Sequence, residues 1–288
     1  PGHDDRGTTT GARRPGHDGG RMTLDEIGAR GLVLLGCGRM GSAMLAGWLD
    51  RGLPPAAVHV IDPAPPDWLG GAGVALGGDV PPAPAVLLVA VKPQMMEAAL
   101  PEVTHLGGGG TLVVSVAAGT PLRRFEAAFG AGTPVVRAMP NTPAAVGQGI
   151  TALAANDAAG AEGLATAEAL LSAVGRVVRL AGEAQMDAVT GVSGSGPAYV
   201  FHMVEALAAA GEAEGLAPDL AMAFARQTVA GAGALLAGSD ETAAQLRVNV
   251  TSPQGTTAAG LEVLMAELPD LMRRTVAAAA ARSRELGA

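Results

Sequence analysis

Leu32-Val33-Leu34-Leu35-Gly36-Cys37-Gly38-Arg39-Met40-Gly41 is the stretch that decides the fold. Four consecutive apolar residues run into G-x-G-x-x-G, and an Ala/Leu/Trp segment of helical character follows. The order predicts a strand, a tight turn and a helix. Gly36 permits the turn, Gly38 lets backbone N–H groups approach a pyrophosphate, and Gly41 lets helix and strand close together at the positive end of the helix dipole. Outward from this stretch, short Val/Leu runs alternate with longer Ala-rich segments: Val58 to Ile61, Val86 to Val91, Leu112 to Val116 and Val135 to Arg137. That alternation predicts a parallel βαβ sheet up to about Leu180, and unbroken apolar strands are what a sheet covered on both faces requires. The second strand ends in Val60-Ile61-Asp62-Pro63. Asp62 thus stands about twenty residues beyond the glycine turn, where a carboxylate accepts from both ribose hydroxyls of NAD. The competing reading is that Asp62 caps a turn before Pro63.

After about Leu180 no strand run remains. The sequence becomes Ala-rich with helical spacing, punctuated at Pro197, Pro218, Pro253 and Pro269. Segments such as Ala198 to Ala210 and Ala221 to Ala237 are nearly uncharged. A helix apolar on most faces has to be buried on most faces, which predicts a second subunit against them; packing on the sheet domain of the same chain is the alternative. The expected organisation is an N-terminal extension over residues 1–21, a dinucleotide-binding domain over 22–182, and an all-helical dimerisation and substrate domain over 183–288. The extension is Gly-, Arg- and Asp-rich, which predicts disorder.

Composition narrows the function. The formal net charge of -8 argues against nucleic acid, which needs clustered cations. The strand-like apolar runs are far too short to span a bilayer despite a mean hydropathy of +0.31, so no membrane is expected. Cys37 is the single cysteine, which rules out an intrachain disulfide and a cysteine-based zinc site and fits a reducing cytoplasm. Between two glycines it reads as a small filler rather than a nucleophile. No metal is expected. Aromatics make up only 2% of the chain, so the core has to close through Ala, Val, Leu and Gly.

Lys92 is the one lysine among 19 basic residues. It stands at the end of a strand, just before Pro93, where doubly wound sheets bind ligands; a positive charge near a cofactor ribose or pyrophosphate is the expected role. Two further segments, Ser193-Gly194-Ser195-Gly196-Pro197 and Thr251-Ser252-Pro253-Gln254-Gly255-Thr256-Thr257, set Ser, Thr and Gly at helix starts. Free N–H groups with hydroxyls beside them attract a carboxylate, although plain N-capping uses the same residues.

With these residues in view, the chain from about Leu32 to its last helix resembles the pyrroline-5-carboxylate reductase family. The resemblance is carried by Gly36 to Gly41, Ala90-Val91-Lys92-Pro93-Gln94, Met139-Pro140-Asn141-Thr142-Pro143, Asp187 through Tyr199, and Val250 through Thr257. It implies a Rossmann domain followed by an all-α dimerisation domain, and NADPH- or NADH-dependent reduction of 1-pyrroline-5-carboxylate to proline. It places cofactor contacts on Gly36, Cys37, Gly38, Arg39, Met40 and Gly41, on Ala90, Val91, Lys92 and Pro93, on Val116, Ala117 and Ala118, and on Asn249. Substrate contacts fall on Ser195, Gly196, Ser252, Thr256 and Thr257, with Glu183 nearby. Thr257 is the catalytic candidate, hydrogen-bonding the ring nitrogen. One departure concerns the Asn-containing turn that precedes the Ala-Val-Lys-Pro strand in the family; here it is Gly77-Gly78-Asp79-Val80-Pro81-Pro82.

Two rivals differ in class. A β-hydroxyacid dehydrogenase joins the same two domains but needs a base for a hydroxyl proton, and the helical half offers no lysine and one histidine, His202, on an apolar stretch that suggests the core. A non-enzymatic nucleotide-binding protein would not need two anion-holding segments. Asp62, with no arginine between Arg51 and Arg123, leads us to expect NADH to serve at least as well as NADPH; the competing reading is that Arg39 in the glycine turn reaches a 2′-phosphate.

Overall fold

The structure, a computed structural model, describes residues 21–287. The N-terminal extension read above lies outside the described residues, apart from Arg21. Thr23 caps the first helix, α1 (Leu24–Arg30), in a reciprocal box with Glu26. There follow β1 (Leu32–Leu35), α2 (Arg39–Asp50), β2 (Val58–Ile61), β3 (Ala75–Leu76), β4 (Val86–Val89), α3 (Met96–Ala99), β5 (Leu112–Ser115), α4 (Leu122–Phe129) and β6 (Val135–Met139). The sheet is completed by β7 (Gly149–Ala155), α5 (Gly160–Leu171) and β8 (Gly175–Arg179). Eight strands form one sheet in the order β3-β2-β1-β4-β5-β6-β7-β8. The order reverses between β1 and β4, which opens a crevice at the carboxyl ends of the strands.

β1, β4 and β5 are buried along their whole length, so their apolar side chains feed two cores. Leu32, Leu34, Leu88 and Val114 point to a layer with Met44, Trp48 and Leu170, while Val33, Leu35, Leu87 and Val113 meet Phe125 and Phe129 on the other face. Trp48 also donates its indole N–H to the Leu170 carbonyl at 2.9 Å, satisfying the one polar atom that its burial brings along.

The sheet departs from the expected one in three ways. β7 runs antiparallel to β6, pairing Met139 with Ala152 and Val136 with Ala155; the short connection through Asn141 to Gln148 reverses direction without a crossover helix. β3 and β8 were not foreseen, and both are edge strands with little burial. The expected strands Val86 to Val91 and Leu112 to Val116 stop at Val89 and Ser115, leaving Ala90–Val91 and Val116 as the lip of the crevice.

Beyond residue 182 the described chain is helical: α6 (Met186–Val189), α7 (Gly196–Ala213), α8 (Pro218–Ala237), α9 (Ala243–Asn249) and α10 (Thr256–Gly287). Pro269 does not end a helix as expected but sits inside α10, a place that forfeits one backbone hydrogen bond. α7 and α8 form a hairpin whose buried contacts are Ala208, Ala221 and Ala225. The large side chains point away from it, with Phe201 63%, Phe224 57% and Leu235 66% exposed. By length and composition α8 would also pass as a membrane span, and only 11% of it is buried within the chain.

The sheet and the helices are joined by Arg137 of β6 and Glu183, 2.7 Å apart, with the Arg137 side chain 7% exposed. The same Glu183 oxygen accepts the Leu122 N–H at the start of α4. Taking one partner from a buried pair leaves an uncompensated charge, which costs about 3 kcal/mol. Glu183→Gln should therefore lower Tm by roughly 5 °C or more, and Arg137→Met in the same chain should recover part of the loss; calorimetry on the two variants checks both.

Candidate active site

Gly36 has φ 90°, and a Cβ built on it would lie 2.9 Å from Val91 Cγ1 and 3.0 Å from the Ala90 carbonyl carbon. A Cβ on Gly41 would lie 2.3 Å from the Gly36 carbonyl oxygen. Both glycines are therefore required by close approach, and Gly36 brings the turn against Ala90 and Val91. Gly38 differs: a Cβ there meets nothing within 4 Å, so its side of the turn faces open space where a ligand backbone fits. The first intrahelical bond of α2 is Ser42 N–H to Gly38 O, and the N–H groups of Arg39, Met40 and Gly41 have no acceptor among the described residues. These residues fit a dinucleotide pyrophosphate.

Asp62 takes the turn-capping role weighed for it. It stands at the end of β2, and its carboxylate accepts the Cys37 N–H at 2.6 Å and the Ala64 N–H at 2.8 Å. Each oxygen keeps further acceptor capacity for a ribose hydroxyl, but the carboxylate is first of all a brace for the turn. In consequence the Cys37 N–H does not face the pyrophosphate. The Cys37 side chain is buried as well. Burial, partly offset by the Ser42 hydroxyl and reinforced by the Asp62 charge, pushes its thiol up, so it stays protonated and is no nucleophile.

Lys92 is exposed just past β4, and Val116–Ala118 follow β5 at the same edge of the sheet. The cofactor candidates up to Ala118 thus gather at the C-terminal edge of β1, β2, β4 and β5. The end of β6 joins them. A Cβ on Gly194 would fall 2.5 Å from Met139 Cε, so β6 runs up against the Ser193–Pro197 segment. A pocket of about 450 Å³ there is lined by Asn141, Pro143, Ser193, Gly196, Tyr199 and Met272, among others. Asn141 and Tyr199 are site-lining residues to which the sequence reading gave no role. The signal was present in Met139-Pro140-Asn141, a polar side chain at the carboxyl end of a buried strand.

The Ser193–Pro197 segment is not the open helix start that was expected. Thr190–Gly194 forms a π turn between α6 and α7, and the Ser195 N–H is taken by Thr190 O at 2.9 Å. What Ser195 offers is its hydroxyl, which has no partner among the described residues. The other segment does behave as a helix start: Gly255 O receives the first bond of α10, leaving the N–H groups of Thr256 and Thr257 without acceptors among the described residues. Yet the two segments do not meet within the chain. Met272 lines the pocket beside Gly196, and fifteen residues of α10 separate it from Thr257, about 22 Å along a helix axis. Asn249 is likewise remote from the glycine turn, bonded instead to Glu241 and Gln245. His202 is corrected too: its side chain is 82% exposed and pairs with Glu205 at 3.0 Å.

A doubly wound sheet with a glycine turn at the switch point, followed by a helical domain, defines a nicotinamide-dependent oxidoreductase of two-domain architecture. Two family models match: "NADP oxidoreductase coenzyme F420-dependent" over residues 31–119 and "Pyrroline-5-carboxylate reductase dimerisation" over residues 183–286. A pyrroline-5-carboxylate reductase of Synechocystis is 48% identical, over 70% of this chain and 75% of its own length. The solved structure of a pyrroline-5-carboxylate reductase from Coxiella burnetii superposes with TM-score 0.84 at 32% identity, covering 90% of this chain and 99% of its own. That of Plasmodium falciparum pyrroline carboxylate reductase, with NADP bound, gives TM-score 0.77 at 26% identity over 90% and 98% of the two chains. The chain belongs to the pyrroline-5-carboxylate reductase family of NAD(P)H-dependent oxidoreductases.

Because Asp62 braces the turn through Cys37, Asp62→Ala should raise KM for the nicotinamide cofactor about tenfold, the worth of one charge-assisted hydrogen bond, with a much smaller effect on kcat. Steady-state titration of the cofactor checks it; equal KM values would show that the turn holds its shape unaided.

Proposed function

We propose that the chain reduces the C=N bond of 1-pyrroline-5-carboxylate to give L-proline, the final step of proline biosynthesis, and that it does so as a homodimer or a larger assembly of such dimers. The observation that carries the assembly is the separation within one chain. Met272, which lines the pocket beside Gly196, and Thr257 are about 22 Å apart along α10, while α7, α8 and α10 carry exposed Phe201, Phe224, Val263 and Leu264. Large apolar side chains left open on three helices are more than a monomer usually keeps exposed to water. Covering them with the same surface of a second chain brings Ser252–Thr257 of one subunit to Ser195 of the other. The same covering accounts for α8: a helix with Arg226 and Gln227 at mid-length, paired with α7, is read as an interface helix and not as a membrane span. We accordingly assign residues 22–182 to the cofactor and 183–288 to dimerisation and substrate. A cytoplasmic location suits a lone cysteine that is buried and protonated.

The cofactor, NADPH or NADH, supplies the hydride. The chain's residues position and polarise. The Arg39 and Met40 N–H groups at the head of α2 hold the pyrophosphate, with Lys92 adding positive charge. Ala90–Pro93 and Val116–Ala118 form the small-residue walls against which the nicotinamide end lies. The Ser195 hydroxyl, the Gly196 turn, and Ser252 and Thr256 with the free N–H groups of the partner's α10 hold the substrate carboxylate. The Thr257 hydroxyl meets the ring nitrogen. An imine that is protonated before or upon binding needs no strong base, so orientation carries much of the rate. This distinguishes it from hydroxyacid oxidation, for which the exposed His202 offers no base in the site.

Thr257→Ala should lower kcat/KM for pyrroline-5-carboxylate about tenfold, since one positioning hydrogen bond contributes roughly 1.5 kcal/mol. Unchanged kinetics would remove Thr257 from the mechanism.

A mixing experiment tests the shared site. Gly41→Val, which obstructs the glycine turn, is refolded together with Thr257→Ala in equal amounts. Sites built from two chains regain about a quarter of the native activity, because half of the dimers carry one intact site. Sites built within one chain would stay at the level of the two parents.

A further inference from the structure

Beside the end of β2, a cavity of about 490 Å³ opens between Ile61, the turn Gly78-Asp79-Val80, Glu102 and His105. Ile61 directly precedes Asp62, so this cavity adjoins the carboxylate that braces the glycine turn. It lies where the adenosine half of a dinucleotide leaves the pyrophosphate. The turn carrying Asp79 is held in place: Gly77 N–H donates to Val60 O at 3.0 Å, and the buried His59 ring bonds the Gly77 carbonyl at 2.7 Å. Gly77 and Gly78 adopt φ 62° and 78°, a left-handed path that glycine takes without strain. Asp79 follows this turn and lines the cavity together with Glu102, both of them exposed. No lysine or arginine lines the cavity, and His105 is the one lining side chain able to carry positive charge.

We propose that Asp79 and Glu102 act with Asp62 to reject 2′-phosphorylated dinucleotides, so that NADH is the working cofactor of this chain. The proposal rests on the reading of the chain as a nicotinamide-dependent reductase and adds the specificity of that site. A 2′-phosphate carries close to two negative charges near neutral pH. Beside Asp79 and Glu102 in the cavity lining, and Asp62 next to the lining residue Ile61 in sequence, it meets a repulsive element of the kind that separates similar ligands. A 2′-hydroxyl, by contrast, donates to the same carboxylates.

The test compares affinities before it compares rates. Titration calorimetry of the purified protein at pH 8, above the range in which a histidine ordinarily protonates, gives Kd for NAD+ and for NADP+ without any turnover. NAD+ should bind at least about tenfold more tightly, and added KCl should narrow the gap by screening. In Asp79→Asn and in Asp79→Asn with Glu102→Gln, the ratio of the two Kd values should shift toward NADP+ by about threefold and about tenfold respectively. A purely structural role for the turn would weaken both nucleotides alike and leave the ratio in place. Tighter NADP+ binding by the native protein, or a ratio unmoved by both variants, would overturn the proposal. Steady-state assays with pyrroline-5-carboxylate and each reduced cofactor separate the two layers of inference: consumption of neither reduced cofactor counts against the enzymatic reading, whereas consumption with NADPH favoured counts against the proposal alone.

Discussion

Close approach of backbones through glycine and alanine is the constraint on which this molecule depends. With four phenylalanines, two tryptophans and one tyrosine in 288 residues, elements cannot be wedged apart by rings and have to pack where side chains are small. The glycine turn closes on β1 because Gly41 permits contact with the Gly36 carbonyl. α10 docks on the π turn because Gly191 lies against the Val276 carbonyl, and α8 docks on α7 where Gly211 meets Ala221. At Gly41 and Gly191 the approach would be lost to a single added side chain, whereas at Gly211 a Cβ would just touch Ala221. Each contact also sets the distance between segments that the function needs together.

The same economy of size has a consequence for the helical half. When Ala208, Ala221 and Ala225 supply the buried contacts of the α7–α8 hairpin, its larger side chains are left on the outer faces. A helix of this kind has its intrachain contact already satisfied and its apolar mass turned outward. Those residues do not face the sheet; α10 reaches the sheet domain with its C-terminal end, where Leu286 and Gly287 meet Gly119 and Arg123 donates to the Gly287 carbonyl. In the proposed dimer the outward mass and the substrate site belong to one arrangement, since the subunit that covers the first would complete the second.

How much of this was legible in the sequence followed from how local the signal is. β1 and β2 were read to the residue because each is a short apolar run bounded by turn residues, and the glycine turn was read because its spacing is dictated by contacts within ten residues. β7 escaped because Gly149-Ile150-Thr151-Ala152-Leu153-Ala154-Ala155 has no strand-like enrichment; it is a strand because β6 offers it a ladder, a tertiary effect that propensity does not contain. Ser193–Pro197 looks like a capped helix start because Ser and Gly precede a Pro, yet the Thr190 carbonyl reaches five residues ahead and draws the segment into a continuous helical path. His202 was misplaced by the assumption that an apolar stretch is buried within its own chain. The separation of Ser195 from Thr257 was out of reach for any local reading, since it depends on the length and direction of α10.

The two ends of the crevice differ in how their polar groups are satisfied, and that difference orders the chemistry. At the adenosine end, the Asp62 carboxylate is bound by two backbone N–H groups and the neighbouring turn by His59, so the groups meeting the ligand are already fixed when it arrives. Little ordering entropy remains to be lost there. At the end proposed to hold the substrate, the Ser195 hydroxyl and the Thr256 and Thr257 N–H groups are without partners among the described residues, and about 22 Å of α10 separates Thr257 from Met272, which lines the pocket beside Gly196. Groups that face the same anion would leave unpaired donors wherever the anion is absent, a cost that falls when water can reach them. On the proposed assignment, the cofactor end is braced before a ligand arrives, and the substrate end keeps donors that a carboxylate would draw together.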